Sequence, residues 1–265
     1  METQITEPVI AQVGQGLPAT SGQRPGADLC DPIIELHRQR QDLHRAEKSL
    51  TLQIKAKCRR VCGGDKTEAG KAYKSMLNGC EHEMATVLLA VSMPFLNARA
   101  LIETSRKETE KQMAKLAKEL PVYPWIEGIR GAGALGLAQI VGESGDLSNY
   151  PDHSKLWKRL GLAVIDGGAQ RRVSGADAEK HGYSPSRRSG DSLFKAGGDY
   201  ADLLRQRKTY ELEQAQAQGL TVLPAARIPA KGRDAYRSEG HIHNRAKRYM
   251  EKRFIRDLWR AWRDA

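Results

Sequence analysis

Between Trp125 and Tyr150 the chain reads W-I-E-G-I-R-G-A-G-A-L-G-L-A-Q-I-V-G-E-S-G-D-L-S-N-Y. Two glycines one residue apart, Gly131 and Gly133, stand there between two apolar stretches, with Arg130 beside them. Glycines so placed let a backbone turn sharply and keep it bare of side chains. A bare backbone at the start of a helix offers N–H groups without acceptors and a partial positive charge, which suits a phosphate. The chemistry this predicts is the holding of a nucleic-acid backbone without reading bases, in a helix-hairpin-helix arrangement. The same glycines also fit a tight packing turn that touches no ligand.

Further cations follow. Arg171 and Arg172 lie in a glycine-rich loop, and Arg187 and Arg188 in a polar segment rich in serine. From His241 to Ala265 there are eight Arg or Lys against three acidic residues. On a helix Arg245, Arg248, Lys252 and Arg256 fall on one face, while Ala246, Met250, Phe254, Leu258 and Trp262 repeat every four residues as a buried stripe. A basic face backed by core suits a phosphate backbone, since each neutralised phosphate releases counterions. A solvated surface helix is the alternative. Cys58 and Cys62 lie four apart, with Cys80 and His82 downstream and His44 upstream. Ligands at i and i+4 share a helix face, so zinc is conceivable, but the spacing is not that of a standard finger and buried free thiols fit equally. His241 and His243 precede the basic helix, where helix capping or phosphate contact is expected of them. No Walker loop, H-E-x-x-H or nucleophile elbow occurs.

The elements that must carry these residues are helices. Residues 1–30 are rich in Gly, Pro, Gln and Thr and predict a disordered arm. Asp31 before Pro32 has the form of an N-cap with proline at the first helical position. Leu36, Leu43 and Leu50 then recur every seven residues, with Ile33 and Ile54 on a second seam that Arg40 and Glu47 interrupt. Cys62-Gly63-Gly64-Asp65 ends that helix, and a second pattern runs from about Thr67 towards Leu120, where Pro94 is expected to kink or interrupt it. Pro121 and Pro124 mark a boundary. The fold expected is mainly α: a long antiparallel helical hairpin of coiled-coil type over 31–120, then a compact helical domain over 121–265 containing the helix-hairpin-helix-like motif. A short helix over Pro151–Leu162, another over Ala201–Gln218, an irregular stretch from Gly219 to Gly240 and a last helix over Asn244–Trp262 complete the reading.

A chain of 265 residues with a net charge of +11 and a pI near 9.5 favours an anionic partner. No apolar run approaches the ~18–20 residues of a membrane span and the N-terminus lacks a signal-peptide core, which predicts a soluble, intracellular protein with no membrane partner. Four cysteines without regular spacing do not suggest a disulfide framework. Aromatic content of 6% disfavours a single-strand binder built on stacking platforms.

The run from Gly131 to Tyr150, followed by Leu156 and by Leu160-Gly161-Leu162, resembles the C-terminal transposase domain of one class of bacterial insertion sequences, without a gap from Ile126 to Val164. The later S-G, a G-D-x-L segment and the basic H-I-H-N-R-A-K-R-Y-M-E-K-R helix appear in family order with looser spacing, and the helical hairpin resembles the family's coiled coil. The resemblance covers roughly Asp31 to Ala265. It implies a DNA-binding protein of transposition and recombination, bacterial, cytoplasmic and nucleoid-associated, and a homo-oligomer through the hairpin. In that family this domain supplies a serine nucleophile, which by position falls at Ser174 in V-S-G-A. The loop before it is longer than the family's, so Ser184, Ser186 and Ser189 remain competing candidates. Full-length relatives add a resolvase-like nuclease domain with an acidic metal-binding tetrad, and several use a structured guide RNA. Before Asp31 the acidic residues are Glu2, Glu7 and Asp28, so the tetrad has no counterpart. The chain is therefore expected to hold no cofactor of its own, with Mg2+ supplied through a separate nuclease chain. A non-catalytic nucleic-acid-binding module or regulator of the same descent is the alternative.

Overall fold

The computed structural model describes residues 26–78, 85–165, 168–170 and 186–265. The arm up to residue 25, and Cys80 and His82 of the conceivable zinc set, lie outside the described residues. The expected mainly α architecture is what is found.

Helix α1 spans Ala27–Val61, α2 Lys66–Asn78 and α3 Ala85–Lys118. The start of α1 differs from the sequence expectation. Its N-cap is Gly26, in the left-handed region at φ 87°, and Asp31 and Pro32 lie inside the helix. Cys30 explains the added turn, because it is buried in the main core with Ile33 and a helical backbone is what brings it there. The second pattern divides into α2 and α3, and α3 continues through Pro94 rather than stopping at it. Ala90, whose carbonyl loses its partner to that proline, is exposed, so water can take its place.

Pairs such as Arg40 with Glu110 and Glu47 with Arg106 fix α1 and α3 as antiparallel neighbours. Two apolar cores flank these pairs. One, at the far end, gathers Ile54, Cys58, Ala69, Ala72, Met76 and Leu88. The other joins Cys30, Ile33, Met113 and Leu120 to residues beyond Pro121, including Ile126, Leu137, Ile140, Leu156, Phe254 and Leu258. Around Leu88 of the far core and towards its middle, α3 leaves Val87, Leu89, Val91 and Leu101 exposed. Among the described residues the stretch Thr86–Lys118 is long and apolar enough to cross a membrane by length and composition, a feature that scanning for unbroken apolar runs passes over.

Beyond Leu120 the chain forms α4 Tyr123–Glu127, α5 Ala134–Ser144, α6 His153–Arg159, α7 Ser186–Ala196, α8 Asp199–Ala217 and α9 Glu239–Asp264. Asp146 caps a 3-10 turn over Leu147–Asn149 and accepts from Trp262 Nε1 at 2.8 Å. Trp259 Nε1 donates to the Tyr150 carbonyl at 3.1 Å, so both tryptophans tie α9 to the turn after α5. The expected buried stripe of α9 is present at Ala246, Met250, Phe254 and Leu258, with Trp262 half-buried. The helix starts at Glu239, five residues before the sequence suggests, because Ser238 caps it by accepting from His241 N. His241 and His243 thus lie within its first two turns. Two short strand pairs complete the fold: β1 Val164–Ile165 antiparallel to β2 Gly168–Ala169, and β3 Thr221–Leu223 parallel to β4 Tyr236–Ser238. The second pair lies inside the stretch read as irregular.

Candidate nucleic-acid interface

The two glycines of the turn play different parts. Gly131 has φ 81°, where an L side chain is strained, and it faces α7. A methyl group there would sit 2.5 Å from the Ser192 carbonyl oxygen and 2.8 Å from Leu193 Cα. Gly131 is therefore a close-packing glycine that brings α7 against the turn. Gly133 is the N-cap of α5, with an extended backbone at φ −155° and open space where a side chain would stand. The first intrahelical bond runs from Leu137 N to the Gly133 carbonyl at 3.0 Å. Ahead of it, the N–H groups of Ala134, Leu135 and Gly136 find no acceptor among the described residues, as the start of a helix without a capping side chain requires. The packing turn is found at Gly131, and Gly133 leaves an open helix start.

The head of α5 opens on a cleft of about 500 Å3, lined among the described residues by Gly133, Leu135, Gly136, Gln139, Arg40 and Arg106, with Glu110, Ile126, Leu137, Ser192 and Phe254. Its cations come from the hairpin. Arg40 is 7% exposed and donates from Nε to Glu110 Oε1 at 2.8 Å. Arg106 donates from Nη1 to the same oxygen at 2.9 Å and from Nε to Glu47 Oε2 at 2.9 Å. Hydrogen bonds to two carboxylates hold the Arg106 guanidinium above its ordinary pKa against the opposing effect of burial. Gln139, also 7% exposed, carries no hydrogen bond among the described residues. Each is marked only by an interruption: Arg40 breaks an apolar seam, and Gln139 breaks the apolar run of α5.

Arg130 is exposed on the other side of the turn, beside Gly198 at the start of α8, and has no partner among the described residues. A smaller cleft of about 400 Å3 lies there between Arg130, Gly197, Gly198 and Tyr200. The four α9 cations expected on one face each have a neighbour within the molecule. Arg245 Nε meets Glu211 Oε2 at 2.7 Å, and Arg248 Nη1 donates to the Ala163 carbonyl at 3.3 Å. Lys252 Nζ stands 4.9 Å from the Trp157 ring centre, and burial with Arg248 nearby holds its pKa below the ordinary lysine value. Arg256 donates twice to Asp257, whose other oxygen takes the Tyr200 hydroxyl. These side chains brace α9 against α6 and α8, so part of their charge is already answered within the molecule.

Arg171, Arg172 and Ser174 lie outside the described residues, as does Ser184. Arg187, Arg188, Ser186 and Ser189 belong to α7 by backbone, with side chains outside the described set. Cys58 is buried in the far core and Cys62 half-buried, and burial raises the Cys58 thiol pKa. Among the described residues no three His, Cys, Asp or Glu side chains are grouped to hold a metal ion. No protein-family model matches the chain, and neither a curated protein nor a solved structure matches it.

Proposed function

We propose that the chain binds DNA through the turn ahead of α5 and takes part in transposition of an insertion sequence, the role implied by its resemblance to the transposase domain. The observation that supports this reading most is the open head of α5. Gly133 leaves three N–H groups without acceptors, and the nearest cations, Arg40 and Arg106, enter the same cleft. Such a site favours a phosphate oxygen through both hydrogen bonding and the helix dipole. The net charge of +11 supplies the long-range attraction that steers a polyanion to it. In this reading Ser174 is the candidate nucleophile. Its Oγ bonds to phosphorus, one P–O bond of the strand breaks, and the released sugar oxygen takes a proton. Mg2+ chemistry belongs to a separate nuclease chain.

Two measurements test this. Affinity for duplex DNA should fall with salt, each neutralised phosphate adding ~0.9 to the log–log slope; a flat slope removes the binding reading. Incubation with junction DNA and Mg2+ should give a covalent protein–DNA adduct on a denaturing gel that Ser174→Ala abolishes. Binding without such an adduct leaves the non-catalytic module as the function.

A further inference from the structure

We infer that the cleft at the head of α5 receives one nucleotide turned out of a bound DNA strand, its phosphate on the helix start and Arg40, its base against Gln139. The inference rests on the DNA-binding reading above and names what enters the site.

Size is the first reason. A volume of about 500 Å3 lies within the ~300–1,000 Å3 of sites that enclose small organic ligands, far more than a lone phosphate fills. Lining is the second. Ala132 and Leu135, both part-exposed, give the cleft apolar surface of the kind a base packs on. A bare anion has no use for it.

Unmet hydrogen bonding is the third and most specific reason. Gln139 is 7% exposed, lines the cleft, and its amide has no protein partner among the described residues. It sits one turn beyond Leu135 and Gly136 and lines the same cleft as they do. Arg40 uses Nε alone, leaving Nη1 and Nη2 without acceptors among the described residues. Glu110 uses Oε1 for both arginines, leaving Oε2 without a donor. The cleft thus offers donors and acceptors together. A phosphate needs donors only, whereas a base edge presents both kinds. That difference selects a nucleotide over a phosphate.

The test uses two duplexes, one fully paired and one with a single unpaired 2-aminopurine, whose fluorescence rises when it leaves the base stack. Anisotropy of a dye at the duplex end reports binding, and 2-aminopurine emission reports entry. The full chain should bind the unpaired duplex about tenfold more tightly than the paired one, with a rise in emission. Gln139→Leu should bring that ratio towards one and lose the emission rise. Gly133→Leu, which fills the mouth from a position with open space, should do the same. Binding without an emission rise, or a rise that both variants keep, overturns this inference and leaves DNA binding standing. No binding of either duplex overturns the DNA-binding reading and the inference with it.

Discussion

Arg40 on α1 and Glu110 on α3 meet at 2.8 Å on a stripe that is apolar at both ends. Ile33, Arg40, Glu47 and Ile54 recur every seven residues, and the two isoleucines are fully buried, one in each core. The charged pair in between is answered across the hairpin by Glu110 and Arg106, so the interruption of the seam is matched on both helices.

Removing one partner should therefore cost far more than removing both. Glu110→Ala leaves a buried guanidinium without its carboxylate and is expected to lower stability by about 3 kcal/mol. The paired replacement Arg40→Leu with Glu110→Leu should be markedly less damaging, because apolar side chains need no desolvated charge to be answered. Urea denaturation of the two variants gives the comparison, and equal losses would contradict it.

The glycines of the turn make opposite predictions. Gly131→Ala meets a positive φ and the backbone of α7, and should destabilise by about 3 kcal/mol. Gly133→Asp meets neither. Its carboxylate can cap α5 and should raise stability by about 0.5–1 kcal/mol while occupying the N–H groups offered to phosphate. Thermal melting should rise as DNA affinity falls by about tenfold. A variant that melts higher and binds equally well would detach the helix head from binding.

Arg130 and Arg256 separate free from committed cations. Arg130→Ala should lower the salt slope of DNA binding by about 1, since that side chain has no partner among the described residues. Arg256→Ala should leave the slope nearly unchanged, because Asp257 already holds its charge at 2.7 Å. Titrations at several salt concentrations decide it.

His241 gives a pH dependence with a definite sign. Burial, with Arg237 and Arg245 nearby, lowers its pKa from the ordinary 6.5, Glu211 opposing weakly. The unfolded chain then takes up a proton before the folded one does. Stability is complete above the ordinary imidazole range and declines as pH falls from 6.5 through the lowered value. An NMR titration of the ring should place its midpoint below 6.5, and His241→Gln should remove that part of the decline.

Helices with regular apolar spacing were legible in the sequence, and α8 and the stripe of α9 lie where periodicity puts them. Local signals misplaced the ends. Asp31-Pro32 has the form of a helix start, but burial of Cys30 carries the helix back to Ala27. The β3–β4 pair joins segments more than a dozen residues apart through backbone hydrogen bonds, which no side-chain period announces. The glycine turn was legible as a turn because what it asks of the backbone is local. Arg40, Glu110 and Gln139 were not, since they come from three helices and only packing brings them to one cleft. The basic face of α9 showed the converse: spacing located its cations correctly but says nothing of the acidic and aromatic neighbours that engage them.

The hairpin's apolar material is gathered at its two ends, with charges between. The tip around Ile54 and Met76 has a small core separate from the main one, so it is expected to open locally as a unit of its own. Its amides should exchange with deuterium well before those of α5 and α9, and a distal arm that opens locally would leave the cleft at the head of α5 undisturbed.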